Sequence, residues 1–239
     1  MNLKRIFAWL SIAVVVFGVF FIYGRTIWYP IYLKFLGHRT VEEAVAEYSP
    51  RAELSLKTAF SNVGSVYPPS GVVLIAFKKE MRLELWGNNQ DKWNFVSEYK
   101  IKAASGRLGP KLKKGDRQVP EGIYRIIGLN PNSSFHLSMK LNYPNDFDQF
   151  HAKEDGRVDL GRDIFIHGKS ASIGCLAMGD EVAEQLFILV NKVGLTNIKV
   201  IIAPYDFRKT GILIDASLSP PWLPELYKTI YSELKKYDR

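Results

Sequence analysis

Eighteen consecutive residues near the amino terminus, Ile6 to Tyr23 (IFAWLSIAVVVFGVFFIY), carry no charge. As a helix rising 1.5 Å per residue the run reaches roughly 27 Å, close to the thickness of a bilayer's hydrocarbon core. Lys4 and Arg5 precede it, as in the n-region of an export signal. The run nevertheless exceeds the usual apolar region of roughly 7–15 residues, and no A-x-A-like cleavage site follows. The sequence therefore predicts an uncleaved anchor over residues 1–25, held in the inner membrane through residues 6–23. A cleaved signal is the alternative. Flanking charge does not orient the span: Arg25, Lys34 and Arg39 answer Lys4 and Arg5, and a long downstream domain crosses regardless.

The remaining length suits one domain with a real core plus appendages. A hydrophobic content of 47% with 23% charged residues indicates a globular chain. The net charge of +8 favours anionic partners. No arginine-rich tract, zinc-finger spacing or RNP-like motif points to nucleic acid. Residues 26–65 read as a helical stalk or linker, with Pro50 dividing the helix-prone text from Arg39 to Ala59 into two short helices or a stalk. Strands are expected at Val72–Phe77, Met81–Trp86, Trp93–Ile101, Gly122–Ile127, Phe135–Met139, Ile164–His167 and Ile198–Ala203. Turns fall at Gly87–Asp91 and Tyr143–Asp146. A helix after Cys175 takes Asp180 as its cap and stops at Gly194. The expectation is a mostly β (α+β) domain at 66–205 and a tail, 206–239, with an amphipathic helix through Leu223, Leu226, Tyr227, Ile230 and Leu234.

Cys175 is the single cysteine, so neither an intramolecular disulfide nor a cysteine-rich zinc site is available. A lone cysteine is more often a small buried hydrophobe than a catalyst. Its surroundings argue otherwise. In Gly161–Asp180 (GRDIFIHGKSASIGCLAMGD) an apolar strand ends at His167-Gly168, and a loop of small residues leads to Ser172-Ile173-Gly174-Cys175. A thiol at such a turn, near a helix amino end, is placed where the dipole favours thiolate. Backbone N–H groups at the turn suit an oxyanion, and a histidine at a strand end can take the thiol proton.

The segment resembles the active-site motif of the L,D-transpeptidase (YkuD-type) catalytic domain family, in which His-Gly is followed by Ser-x-Gly-Cys. Pro120-x-Gly122-x-Tyr124, Ser134-Phe135-His136-Leu137-Ser138 and Tyr143-Pro144-Asn145-x-x-Asp148 extend the likeness over roughly residues 70–205. The short His-to-Cys loop is similar to the YafK-like branch. One departure stands out: most members carry a second histidine just before Gly-Cys, where this chain has Ile173.

The resemblance implies a peptidoglycan-modifying cysteine acyltransferase in the periplasm of a Gram-negative bacterium. Its substrates would be peptidoglycan stem peptides, attacked at the meso-diaminopimelate carbonyl through a thioester. Cys175 would be the nucleophile, His167 the base and the Gly168 carbonyl its orienting acceptor. The Gly174 and Cys175 N–H groups would be oxyanion donors, and Ser172 would organise the loop. Arg162, Lys169, His136 and Lys113 are candidate contacts for substrate carboxylates. The acyl acceptor could be a second diaminopimelate, a Braun-type lipoprotein lysine, or water; the last gives a carboxypeptidase, endopeptidase or lipoprotein-releasing amidase. A catalytically inactive peptidoglycan-binding envelope protein is the non-enzymatic alternative. No metal or cofactor is expected.

Overall fold

The structure, a computed structural model, describes residues 3–90, 92–213 and 220–238. Asp91 of the expected turn, residues 214–219 of the expected tail and Arg239 lie outside the described residues. The uncharged run forms α1 (Leu3–Tyr23), whose stretch Arg5–Tyr23 is long and apolar enough to cross a membrane and has no buried residue. After Gly24 comes α2 (Arg25–Leu36).

A capping box starts α3 (Val41–Asn62): Thr40 Oγ1 accepts the Glu43 N–H, and the Glu43 carboxylate accepts the Thr40 N–H. Contrary to the expected interruption, α3 runs straight through Pro50. Proline inside a helix costs about 3 kcal/mol. Here Ala44, Ala52, Leu56 and Phe60 lie on one face spanning Pro50 and are all buried. Burying Leu56 and Phe60 contributes roughly 1.5–3 kcal/mol each, enough to keep the helix continuous.

Nine strands among the described residues form one sheet: β1 (Val72–Phe77), β2 (Arg82–Asn89), β3 (Lys92–Lys100), β4 (Ala103–Ala104), β5 (Gly122–Ser133), β6 (His136–Leu141), β7 (Phe165–His167), β8 (Leu176–Ala177) and β9 (Ile198–Ala203). Their order is β3-β2-β1-β9-β5-β6-β7-β8-β4, and every pairing is antiparallel except β1 with β9 and β7 with β8. The turn expected from Gly87 falls later, because β2 continues to Asn89 and Gln90 takes a positive φ of 50°.

The four remaining helices are α4 (Asp146–Glu154), α5 (Asp180–Val193), α6 (Phe207–Thr210) and α7 (Leu223–Leu234). Buried strand β1 shows how the sheet is covered on both faces. Val72, Leu74 and Ala76 pack in the cluster containing Leu56 of α3 and Leu186 of α5, while Val73, Ile75 and Phe77 join Leu226 and Ile230 of α7. Period-2 alternation thus feeds two cores. The turn expected at Tyr143–Asp146 bends at Pro144 and leads into helix α4, which begins at Asp146: Asn145 caps it, exchanging hydrogen bonds with Asp148. Only His151 and Ala152 of α4 are buried, so it lacks the apolar stripe that marks a helix in sequence. Asp180 is the first residue of α5 rather than its cap; the cap position is Gly179.

Candidate active site

Parallel strands β7 and β8 set His167 opposite Ala177 and Ile166 opposite Leu176. Cys175 immediately precedes β8, so the thiol and the imidazole sit on neighbouring strands. The Met178 N–H donates to the His167 carbonyl at 2.8 Å, and His167 is 2% exposed. Its Nδ1 lies 2.6 Å from the Gly168 carbonyl oxygen. The Phe135 ring lies 4.7 Å from the imidazole. Gly168 is required by close approach: a Cβ there would stand 2.7 Å from Asp180 Oδ1 and 2.8 Å from the Phe135 carbonyl oxygen. Gly174, at φ 110°, occupies backbone space that L side chains rarely adopt.

Three hydroxyl and thiol groups shape the turn. Ser172 Oγ donates to the Cys175 carbonyl at 2.7 Å and accepts the N–H groups of Cys175 and Ser105, both at 3.2 Å. Ser105 Oγ donates to the Arg117 carbonyl at 2.8 Å and accepts the Gly174 N–H at 2.6 Å. Both expected oxyanion amides thus donate to hydroxyls in this structure, Gly174 to Ser105 and Cys175 to Ser172. Cys175 is half-buried, and its sulfur lies 3.8 Å from the Asp163 carbonyl oxygen. No hydrogen bond joins it to His167 among the described residues.

Burial pushes the Cys175 thiol above its ordinary pKa; the Phe165 N–H opposes this, the Asp163 carboxylate adds to it, and the Lys111 ammonium opposes it. Burial likewise pulls the His167 imidazole below its ordinary value, with the Gly168 carbonyl partly offsetting the effect. At neutral pH the pair is thus a thiol and a neutral imidazole, not an ion pair. The expected help from a helix dipole is also corrected. Strand β8 lies between Cys175 and α5, and the dipole fades within the first turn.

Among the described residues, none of the four expected substrate contacts makes a hydrogen bond or ion pair with Cys175. His136 Nε2 stands 2.9 Å from Glu184 Oε1, and Glu184 also binds Arg51 at 2.6 Å. With the His136 ring edge-on to Tyr48 at 5.3 Å, that cluster ties α3 and α5 to β6. The backbone and side-chain nitrogens of Lys169 both bind the Asp180 carboxylate, at 2.8 and 2.5 Å. Arg162 and Lys113 are exposed. Sequence reasoning missed Ala104-Ser105-Gly106 and, between Lys111 and Gln118, singled out Lys113 alone. Ser105 holds the cysteine turn, and Lys111 is the cation whose charge reaches the sulfur. A Ser-Gly pair closing a short strand was the available cue. A cavity of about 940 Å³ is lined by Trp93, Arg125, Asn142 and Lys199 and includes neither His167 nor Cys175.

The family model described as the L,D-transpeptidase catalytic domain (YkuD) matches residues 71–202. The Escherichia coli K12 protein provisionally named L,D-transpeptidase YafK is 34% identical over 146 residues, which are 59% of this chain and 56% of that protein. The chain thus spans about half the length of the curated relatives it matches. Among solved structures, the helical cell shape determining protein Pgp2 of Campylobacter jejuni aligns at TM-score 0.48 and 20% identity, over 63% of this chain and 55% of that one. Bd1075 of Bdellovibrio bacteriovorus aligns at TM-score 0.42 and 20% identity, over 72% and 57%.

Proposed function

The chain belongs to the L,D-transpeptidase catalytic-domain family, and on that premise we propose that it is a peptidoglycan-modifying acyltransferase with Cys175 as nucleophile and His167 as base. What supports the reading is the placement of His167-Gly168 and Ser172-Cys175 side by side at β7 and β8, within the residues that the family matches. A backbone carbonyl only accepts hydrogen bonds, so the Gly168 oxygen holds the proton on His167 Nδ1 and leaves Nε2 as the free base.

In the proposed reaction the thiol turns from the Asp163 carbonyl and its proton passes to His167 Nε2. The sulfur attacks the L-centre carbonyl of meso-diaminopimelate in a stem peptide. Negative charge on the tetrahedral oxygen is met by the Cys175 N–H, whose bond to Ser172 is the longer of the two amide–hydroxyl bonds. Nε2 returns the proton to the leaving amine, and a thioester remains. An incoming amine, from a second stem peptide or a lipoprotein lysine, then attacks the thioester carbonyl and loses its proton to His167; the C–S bond breaks, and the proton returns from Nε2 to the released Cys175 sulfur. Helix α1 anchors the enzyme in the inner membrane, with the sheet on the periplasmic side.

Mass spectrometry of muropeptides incubated with the full chain in detergent tests this. New 3→3 dimers support cross-linking, whereas loss of terminal D-alanine or of lipoprotein remnants supports transfer to water. Unchanged muropeptides in all three respects would sink the reading.

A further inference from the structure

Lys111 is a buried cation with no part in the scheme above. Its side chain is 6% exposed. Nζ donates to Asp116 Oδ1 at 2.5 Å and to the Lys113 carbonyl at 2.9 Å. An ammonium has three N–H donors, and no partner for the third is present among the described residues. Burying an ammonium is costly unless its charge is matched. Asp116 supplies one match: burial would raise its pKa, but Lys111 and the N–H groups of Lys113, Gln118 and Leu112 together hold it low.

Two routes through the structure place this ammonium on the cysteine side of the loop. The first passes through Gly161, where a Cβ would stand 3.6 Å from Lys111 Cε. Two residues further on, the Asp163 carbonyl is the polar group on which the Cys175 sulfur rests. The second passes through Asp116, whose Oδ1 also accepts the Gln118 N–H at 3.0 Å. The Gln118 carbonyl oxygen in turn lies 3.3 Å from the Cβ position of Gly174, the neighbour of Cys175. The groups acting on the sulfur are few. Burial, and after it the Asp163 carboxylate, oppose thiolate; the Phe165 N–H and, to a smaller extent, the Lys111 ammonium favour it. Asp163 itself is paired with Lys140 at 2.6 Å and lies 4.0 Å from Arg162. His167 is neutral at physiological pH. Lys111 is therefore the cation available to offset the burial of the sulfur.

We propose that Lys111 is a positioning residue for the reaction, a fixed positive charge that stabilises the Cys175 thiolate through space, with Asp116 holding it in place. The proposal rests on Cys175 being the nucleophile. When the S–H bond breaks, the electron pair stays on sulfur and the proton goes to His167 Nε2; Lys111 exchanges no proton. Without Lys111, the burial that raises the thiol would be opposed by the Phe165 N–H alone.

Because Cys175 is the single cysteine, alkylation of the full chain by iodoacetamide across pH reads one thiol without any substrate. Lys111→Met should move the midpoint of the rate profile up by about half to one pH unit, at or below the roughly 1–3 units that an opposite charge in close contact supplies. Lys111→Arg should stay near wild type. Asp116→Asn, which releases the ammonium from its counter-charge, should move the midpoint down. Circular dichroism reports folding of each variant, and if Lys111→Met does not fold, the direction of the Asp116→Asn shift decides. A folded Lys111→Met with the wild-type midpoint overturns the proposal, as does a shift of the two variants in the same direction. A wild-type chain that is alkylated normally but leaves muropeptides untouched would instead count against the proposed function.

Discussion

The His167 imidazole and the Gly168 carbonyl stand 2.6 Å apart, Nδ1 to oxygen, across a single peptide unit. That contact fixes both the tautomer and the ring plane, and Phe135 covers the ring. His167→Ala should lower turnover by roughly 100- to 10,000-fold, the usual share of a positioned acid–base group. Raising the pH should restore part of the loss by ionising the thiol directly. In the wild type, burial depresses the imidazole pKa, so the neutral base persists to lower pH than for a free histidine. The acid limb of kcat/KM should therefore fall below pH 6.5, and a limb at or above that value would mean another base.

Cys175→Ser should abolish muropeptide conversion while leaving the circular dichroism spectrum intact. The side chain is half-buried and makes one weak polar contact, and a hydroxyl replaces it with little change in volume. Near-wild-type conversion by the folded variant removes Cys175 from the mechanism.

Ser172→Ala would strip a partner from the Cys175 N–H, the Cys175 carbonyl and the Ser105 N–H together. Each buried group left without a partner costs about 1–3 kcal/mol, less where water reaches it. The turn should loosen, with kcat falling more than KM rises. Steady-state kinetics on a soluble stem peptide would read this split, and a pure KM effect would assign Ser172 to substrate binding instead.

What was legible in the sequence had strong local period or a motif. β1 and β9 stood out as short apolar runs, α5 as a helical stripe, and His167 and Cys175 through the resemblance of their surroundings to a family motif. What was not legible depends on partners distant in sequence. Pro50 reads as a break until Leu56 and Phe60 find the core that holds α3 together. His136 resembles a cleft residue until Glu184 and Arg51, one on each side of it in sequence, close on it. The Gly174 amide looks free until Ser105, 69 residues before it, arrives beside it. Lys113 was chosen and Lys111 passed over because adjacent lysines look alike before burial separates them.

Asp148 illustrates a cost carried for architecture. Burial raises its carboxyl to about 6 from 3.8, against the opposing Asn145 N–H, Tyr124 hydroxyl and Arg157. A folded pKa above the unfolded one means the native state binds the extra proton. Stability from this group therefore increases as pH falls through 6 towards 4, and is lowest above 6, where the buried carboxylate is charged. The shift corresponds to about 3 kcal/mol at most. Asp148→Asn keeps an oxygen for the Asn145 N–H and removes the charge. It should stabilise the protein at pH 7 by about 1–2 kcal/mol and flatten the dependence between pH 4 and 7. Urea unfolding at pH 5 and 7 measures both, and a destabilised variant at pH 7 would show that the charge at the start of α4 outweighs its burial.

Ile173 is the departure from the family pattern, and the structure changes how it should be understood. Packed beside the thiol, a β-branched residue would stiffen the loop and exclude ordered water from one side of Cys175. Instead its side chain is 69% exposed, while neighbouring Gly174 is buried. It therefore contributes an apolar surface at the mouth of the site rather than packing. Ile173→His needs no repacking, and stability should change by no more than about 0.5 kcal/mol, as for most exposed positions. Thioester formation should proceed at the wild-type rate, since His167 and the Ser172 bonds are untouched. The partition of the thioester is what should move. An imidazole at this position can accept a proton from an incoming ammonium and orient it, whereas isoleucine can do neither, so the ratio of amine-transfer to hydrolysis product should rise. The measurement is that ratio at matched extents of acylation, with Ile173→Ala separating loss of the apolar surface from gain of the base. An unchanged ratio in Ile173→His would place acceptor choice elsewhere in the cleft and leave Ile173 as exposed surface alone.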